Sequence, residues 1–393
     1  MNSPLAEHGL YLDAAEFIAI RRRIHASPEL GFEEEETAKL VAGYLREWGY
    51  EVSTGIGRTG VVGRLKLGSS SRSLGIRADM DALPIQEETG LPYASRHPGK
   101  MHACGHDGHT AILLAAAKHL AQSRSFDGTL NLIFQPAEEG AGGAASMIAD
   151  GLFQRFPCDA VYGLHNGPGL PVGSYIVHEG VLAASSDSVT ITLHGRGTHG
   201  GMPHQGIDPV VAMAAIILAL QTIVSRNLSP EQPAVVTVGQ VQAGSANNVI
   251  PDTATLGLTV RTFVPAVQRQ IEERLRDLVQ LQAQSFGVRA EITWRPVSRV
   301  LRNHPEQTRL ARQVVEKLAG PRAIVPMPPG MMGGDDFSWM LEQVPGCYLV
   351  LGNGVGKQGG CMIHNPGYDF NDDILLTGAR LWVALTEAYL YAA

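Results

Sequence analysis

The chain has 393 residues, of which 44% are hydrophobic and 18% are charged, and its formal net charge is −7. This length exceeds what one hydrophobic core usually serves, so we expect two domains of ordinary globular composition. The negative charge argues against a polyanionic partner, because nucleic-acid binding needs a basic surface. Disordered, fibrous and nucleic-acid-binding classes are therefore excluded.

The sequence also bears on the compartment. The N-terminal residues show no basic segment followed by an apolar one, and no apolar run reaches about 18 residues, so we expect neither a signal peptide nor a membrane span. The nearest candidate, residues 210–220, is short and alanine-rich and predicts a buried helix. The four cysteines are few and widely spaced, which favours a reducing cytoplasm.

The predicted elements of the first third alternate between helical and strand patterns. Residues 33–48 have apolar side chains at helical spacing and are followed by Gly49, which predicts a helix that stops there. The next predicted elements are strands at 61–67 and 74–78, an apolar helix at 111–120 and a buried strand at 130–134.

The pattern changes in the middle of the chain. Successive segments predict a strand at 189–193, a helix opening at Asp208-Pro209, strands at 235–241 and 254–261, a helix at 265–287 and a strand at 288–294. This βαββαβ order is that of a ferredoxin-like unit. We expect residues 185–296 to form a domain inserted into an α/β domain made of 1–184 and 297–393, which also holds a strand at 347–351 and a C-terminal helix from 371.

Five side chains with metal-ligand chemistry follow short apolar segments or open a helix. Cys104 and His106 lie on a glycine-containing loop before the predicted helix, and Glu139, His165 and His364 come later. Any one of these histidines alone is more simply a core or surface residue. Together, one thiolate, three imidazoles and one carboxylate exceed the needs of a single zinc and suit two metal ions about 3.5–4 Å apart.

Three carboxylates receive separate interpretations. In the pair Glu138-Glu139 we assign the general base to Glu138 and the metal ligand to its neighbour, because adjacent side chains point in different directions. Asp81 follows a predicted strand and could orient a ligating imidazole, although a simple turn-forming aspartate is an equal alternative. The acidic run at 33–36 is expected to be solvated surface charge.

Six motifs occur in order along nearly the whole chain. They are Asp79-Met80-Asp81-Ala82-Leu83-Pro84, His102-Ala103-Cys104-Gly105-His106-Asp107, Gln135-Pro136-Ala137-Glu138-Glu139-Gly140, Gly195-Arg196-Gly197-Thr198-His199, Asn248-Val249-Ile250-Pro251 and Asp336-Phe337. The set resembles the hippurate hydrolase, N-acyl-L-amino acid amidohydrolase and auxin-conjugate hydrolase branch of the aminoacylase-type dinuclear metallopeptidases. The resemblance implies an amidohydrolase that splits N-acyl amino acids into a carboxylic acid and an amino acid. It also implies an open mixed-sheet α/β catalytic domain with a ferredoxin-like lid and dimerisation domain.

The resemblance carries further roles onto matching residues. It implies the same five metal ligands, with Glu138 as base, and two divalent ions (manganese, zinc, cobalt or nickel) per subunit. It implies that His199 reaches a partner subunit's site and stabilises the oxyanion, and that Asn248 and Arg261 hold the substrate carboxylate. Without the resemblance, His199 and His204 simply flank a glycine-rich turn. The expected assembly is a homodimer or higher homo-oligomer with a small-molecule substrate and no nucleic-acid or membrane partner.

Alternatives remain open at this point. Within the same superfamily, the chain could be a dipeptidase or an N-acyl-diaminopimelate deacetylase. From another class, it could be a metal-loaded binding protein without turnover, although the Glu138-Glu139 pair argues against that reading. A mononuclear zinc deaminase is weaker, because its Cys-x-x-Cys element is absent from the sequence.

Overall fold

The computed structural model describes residues 12–328, 332–356 and 359–391. In chain order its helices are α1 (Ala14–His25), α2 (Glu35–Glu47), α3 (His106–Ser123), α4 (Gly143–Ala149), α5 (Leu152–Arg155), α6 (Pro209–Thr222), α7 (Pro265–Ser285), α8 (Pro305–Ala319), α9 (Phe337–Leu341) and α10 (Leu375–Tyr389). Its strands are β1 (Glu51–Ile56), β2 (Gly60–Leu67), β3 (Ser73–Asp79), β4 (Gly128–Gln135), β5 (Ala160–Pro168), β6 (Tyr175–Ile176), β7 (Gly180–Ala183), β8 (Ser185–His194), β9 (Thr198–His199), β10 (Ala234–Ala243), β11 (Val249–Ile250), β12 (Thr253–Thr262), β13 (Arg289–Ser298), β14 (Leu301–Asn303) and β15 (Gly346–Gly354).

The first of two structural units contains the described residues of 12–182, 302–328 and 336–391. Its seven-stranded sheet has the order β1-β2-β4-β3-β5-β15-β6. Strands β4, β3, β5 and β15 are parallel neighbours, whereas β1, β2 and β6 pair antiparallel. The expected open mixed sheet is therefore confirmed, and four parallel strands end at the same edge.

The central strands and α3 are apolar in sequence because they are buried in the structure. Every residue of β3 is buried, as are the last six residues of β4, since helices or loops cover both faces. Helix α3 packs against β3 and α10, and its residues 111–117 are all buried. This helix starts at His106, five residues before the predicted start, so part of the histidine cluster lies in its first turn.

The second unit contains residues 183–301 and 332–335. Its four-stranded antiparallel sheet has the order β10-β12-β8-β13, with α6 and α7 packed on it. The chain order β8-α6-β10-β12-α7-β13 with this strand order is the ferredoxin-like arrangement. The unit boundaries fall at 182/183 and 301/302.

Helix α6 only partly follows its prediction as a buried helix. The Asp208 side chain caps it by accepting a hydrogen bond from the Val210 N–H at 2.8 Å, and a π-helical turn continues it to Asn227. The stretch Pro209–Asn227 is long and apolar enough to cross a membrane by length and composition alone, and 33% of it is buried. Its buried residues are Pro209, Ala212, Met213, Ile216, Leu220 and Ile223. Leu218 is 73% exposed, so the prediction is right for one face and wrong for the other.

The acidic run before α2 also differs from its prediction. Glu33, Glu35 and Glu36 are exposed, but Glu34 is fully buried. Its carboxylate accepts hydrogen bonds from the Ala137 N–H at 2.8 Å and from the Thr59 hydroxyl at 2.5 Å. The expectation of solvated charge is therefore wrong for Glu34, because two donors distant in sequence replace its water.

Candidate metal centre

The parallel strands of the first unit bring the motif residues to one edge of the sheet. Asp79 ends β3, and the pair Glu138-Glu139 lies just beyond the end of β4. His165 lies within β5, near its carboxyl end. Gly105 turns the chain into α3 with φ +96°, and a Cβ there would lie 2.4 Å from the Asn166 Oδ1. The turn between Cys104 and His106 therefore requires glycine.

All five predicted metal ligands lie in one cluster. Cys104 Sγ is 3.3 Å from His165 Nε2, and together with His106 they form a group whose ligand atoms lie within 4.8 Å of one another. Cys104, Glu139 and His364 form a second such group, in which His364 Nε2 is 3.2 Å from Glu139 Oε1. Cys104 belongs to both groups, so the geometry offers two adjacent positions for a cation.

Two atoms of the cluster make no hydrogen bond of good geometry with the described residues, although each lies near a charged neighbour. These are the buried His106 Nε2 and Glu139 Oε1, which lie 3.9 Å apart. Asp81 holds the His106 ring and the Glu139 backbone, since its Oδ1 is 3.1 Å from His106 Nδ1 and its Oδ2 accepts the Glu139 N–H at 2.9 Å. With Nδ1–H donating to Asp81, Nε2 faces the cluster and can bind a cation once it has released its proton. Buried polar atoms are costly without a partner, and this sulfur, nitrogen and oxygen set fits divalent metal ions.

The charges around the cluster favour the protonated forms of His106 and Cys104, two of the side chains that would bind a cation. Burial lowers the pKa of His106, but the carboxylates of Asp79 and Asp81 outweigh it and raise that pKa to about 10. Burial and the nearby Glu139 raise the pKa of the Cys104 thiol well above its usual value. Burial lowers the pKa of His165 to about 3. At neutral pH the metal-free His106 and Cys104 therefore hold protons that a bound cation would displace.

The Glu138 carboxylate lies beside the cluster. Its nearest ligand oxygen is within 4.8 Å of ligand atoms of both His106 and Glu139. Glu138 Oε1 accepts the Asp336 N–H at 3.3 Å, and the Asp336 side chain in turn accepts the Ala144 N–H at 2.9 Å. Glu138 is thus held beside the two candidate cation positions.

The sequence analysis missed the role of His109. His109 Nδ1 is 2.6 Å from Asp79 Oδ1, and its Nε2 accepts the Asn166 N–H at 3.1 Å. Asp79 is also paired with Arg77 at 2.7 Å. His109 follows His106 by three residues, so both lie on the same face of α3, and this spacing was the available signal.

Three predicted site residues lie in the second unit. His199 in β9 pairs with Val249 of β11, and the neighbouring Asn248 carbonyl accepts the Gly200 N–H at 2.7 Å. The structure thus brings His199 and Asn248 together. Arg261 lies on β12 of the four-stranded sheet, where its guanidinium donates to the Met332 carbonyl at 3.0 Å.

Comparison with known proteins places this geometry in a family. The sequence model of Peptidase family M20/M25/M40 matches residues 75–388. Hippurate hydrolase of Campylobacter jejuni is 45% identical over 95% of this chain and 97% of its own length. N-acetyl-L-cysteine deacetylase of Bacillus subtilis is 40% identical over 92% of this chain and 85% of its own length. A crystal structure from Bacillus subtilis, described as a dinuclear metal binding peptidase from M20 family, is 34% identical, with a TM-score of 0.80 over 97% of this chain and 99% of its own.

These similarities cover almost the entire chain and confirm the resemblance drawn from the motifs. An amide-bond hydrolase accounts for both the cluster and the carboxylate beside it. The chain belongs to Peptidase family M20/M25/M40.

Proposed function

We propose that the chain hydrolyses the amide bond of N-acyl amino acids, with N-benzoylglycine (hippurate) as the first candidate substrate. The observation that carries this proposal is the convergence of five ligand-type side chains and a second glutamate at one edge of the sheet. The similarity to a hippurate hydrolase supports the choice of substrate.

We assign the metal ligands to the two groups that share Cys104, with His106 and His165 in one group and Glu139 and His364 in the other. When bound, divalent ions would polarise the scissile carbonyl and lower the pKa of a water toward roughly 7. The mixed donor set suits manganese, zinc, cobalt or nickel. Asp81 acts through His106, whose ring it orients at 3.1 Å.

Glu138 acts as the general base and then as the acid. It takes a proton from the attacking water, which adds to the amide carbonyl carbon. It then delivers that proton to the amine nitrogen as the carbon–nitrogen bond breaks, which releases a carboxylic acid and a free amino acid. The Asp336 N–H, which donates to Glu138 Oε1 at 3.3 Å, supports the orientation of this carboxylate.

Residues of the second unit complete the proposal. We assign oxyanion stabilisation to His199, acting on the site of a partner subunit, and recognition of the substrate carboxylate to Asn248 and Arg261. The local pairing of His199 with the β11 strand that follows Asn248 supports a common function for these two residues. Arg261 donates to the Met332 carbonyl at 3.0 Å, so binding a carboxylate would extend or replace that contact.

We further propose a cytoplasmic homodimer that associates through the second unit. Strand β10 lies at one edge of the four-stranded sheet, and most of its last six residues are exposed. The exposed apolar face of α6 includes Val211 at 52% and Leu218 at 73%. Exposed edges and apolar faces of this kind favour pairing with a second copy. All four cysteines are free thiols, which supports a reducing compartment.

The test is metal analysis of the purified protein combined with a substrate panel, with and without added manganese. The panel contains N-benzoyl, N-acetyl and indole-acetyl amino acids, free dipeptides and N-acetyl-diaminopimelate. We expect N-acyl amino acids to be cleaved fastest, and Glu138→Gln to lose about 10²- to 10⁴-fold in kcat with its metals still bound. Preference for dipeptides or for the diaminopimelate compound would reassign the substrate. Binding without hydrolysis would show a binding protein.

A further inference from the structure

Glu34 is a buried carboxylate outside the metal cluster, and it joins three segments of the first unit. It lies just before α2, its side chain is fully buried, and both oxygens accept hydrogen bonds. One donor is the Ala137 N–H in the loop after β4, and the other is the Thr59 hydroxyl in the turn between β1 and β2. The loop after β4 carries Glu138 and Glu139, so Glu34 holds the backbone one residue before the proposed base.

The hydrogen bond from Ala137 to Glu34 satisfies the first backbone donor after β4. Pro136 precedes Ala137 and has no N–H, so the Ala137 N–H is the first donor after the end of β4. Ala137 is fully buried, and a buried N–H without an acceptor would be costly. Glu34 is the acceptor that this loop uses in place of water.

Backbone strain is concentrated around the same contact. Ala137 has φ +53°, Phe32 has φ +68° and Arg58 has φ +81°. Among the described residues these are three of the five non-glycine positions with positive φ. The Arg58 guanidinium lies 4.4 Å from the Phe32 ring centroid. This contact joins the segment that carries Glu34 to the turn that carries Thr59. Such conformations persist only where the surroundings enforce them, and they cluster at functional sites.

Close packing accompanies the hydrogen bond. A Cβ on Gly31 would lie 3.1 Å from both the Cα and the Cβ of Ala137, so the segment before Glu34 lies directly on the loop. The carbonyl of Ala137 also accepts the Gly143 N–H at 3.0 Å, which ties the loop to the start of α4. The left-handed turn at Ala137 is therefore fixed by Gly31 through contact, by Gly143 through the carbonyl and by Glu34 through the N–H.

We infer that Glu34 is a positioning residue for the reaction: it holds the turn at Ala137 so that Glu138 meets the attacking water in a productive orientation. This inference rests on the proposed hydrolysis of N-acyl amino acids. The observed partners of the Glu34 carboxylate are the Ala137 N–H and the Thr59 hydroxyl, so its effect passes through the backbone of the loop. Displacing a catalytic group by about 1 Å can lower the rate about 100-fold, so we expect Glu34→Ala to lose about 10- to 100-fold in kcat with KM within about twofold of wild type.

Two conservative variants separate the reach of the side chain from its charge. Glu34→Gln keeps the length, so its amide oxygen can accept the Ala137 N–H while its NH₂ donates to the Thr59 hydroxyl. Glu34→Asp keeps the charge but is one methylene shorter and cannot meet both donors. If positioning is the role, Glu34→Gln retains kcat within about twofold and Glu34→Asp falls toward Glu34→Ala. The opposite order would overturn the inference.

Tyr50→Phe is a matched control, since it removes a buried hydrogen bond from Tyr50 to the Ala117 carbonyl (2.9 Å) elsewhere in the first unit. All variants are assayed as the metal-loaded full chain with N-benzoylglycine, alongside Tm and hydrogen exchange of residues 137–140. We expect the backbone amides of residues 137–140 to exchange faster in Glu34→Ala than in Tyr50→Phe, when the two variants are compared at an equal loss of Tm. Unchanged kcat or unchanged exchange in Glu34→Ala, or an equal loss of kcat in Tyr50→Phe, refutes the positioning role. An inactive wild-type protein would instead refute the proposed substrate, and the exchange measurement would still decide the contact.

Discussion

Asp81→Asn should weaken metal binding by forcing His106 into the wrong tautomer. The two Asp81 oxygens have different partners, because Oδ1 is 3.1 Å from His106 Nδ1 and Oδ2 accepts the Glu139 N–H at 2.9 Å. An asparagine offers one oxygen and one NH₂ group. A backbone N–H can only donate, so the asparagine oxygen must face Glu139 and its NH₂ must face His106. The imidazole then accepts at Nδ1 and carries its proton on Nε2, the buried atom that faces the cluster.

The loss of metal affinity arises because the proton on His106 Nε2 occupies the position of the lone pair that would bind the metal. Loss of a residue that orients a metal-binding histidine costs about 10- to 100-fold in metal affinity, or about 1.4–2.7 kcal/mol. Asp81→Ala removes the same acceptor but leaves His106 free to choose its tautomer. We therefore expect Asp81→Asn to bind metal more weakly than Asp81→Ala, although the asparagine is nearer to aspartate in shape.

The assay is competition for zinc or manganese against a chromogenic chelator, using wild type, Asp81→Asn and Asp81→Ala. Circular dichroism of each metal-free protein controls for folding. If Asp81→Asn binds metal as tightly as wild type, or more tightly than Asp81→Ala, then Asp81 does not set the tautomer of His106.

Three further outcomes are expected. Cys104→Ser should lower the bound metal below two ions per chain after dialysis, measured by elemental analysis, and retention of both ions would remove Cys104 from the ligand set. Burial lowers the pKa of His25, but Asp107 at 2.9 Å outweighs it and raises that pKa to about 9, so the contribution of His25 to stability is full below pH 6.5 and is lost as the pH rises through about 9. The free energy of unfolding should fall by up to about 3 kcal/mol over this range in denaturant titrations, and His25→Gln should flatten the fall; an equal fall in that variant would contradict the assignment. Leu218→Lys should convert the proposed dimer to a monomer in light scattering, whereas an unchanged dimer mass would place the interface elsewhere.

The local sequence pattern was sufficient to predict the helices and strands whose apolar residues recur at regular spacing. The predicted strand at 61–67 is β2, and the helix expected to open at Asp208-Pro209 is α6, with Asp208 as its cap. The start of α3 was missed because its first turn is polar. His106 and His109 are satisfied by Asp81 and Asp79, which lie more than 20 residues away, so the local pattern there does not show a helix.

The cluster was predictable because each ligand type is costly to bury, and because His106 opens α3, Glu139 follows β4 and His165 lies near the carboxyl end of β5. The partners of those ligands were less accessible. Glu34 reads as one charge in an acidic run, and only the path of the chain brings it to the Ala137 N–H. Residues His199, Asn248 and Arg261 carry no local signal of chemistry, and the motifs shared with relatives were their sole support.

The loop after β4 is held from two sides by carboxylates. Asp81 accepts the Glu139 N–H at 2.9 Å, and Glu34 accepts the Ala137 N–H at 2.8 Å. Glu138 lies between these two anchored residues, so its backbone can turn little even though the loop is irregular. Because Asp81 also contacts the His106 ring, the position of the proposed base and the orientation of a proposed metal ligand depend on the same carboxylate. The proposed acid–base group and the candidate metal cluster are therefore coupled through a loop of three residues, and we expect a change at either carboxylate to affect both.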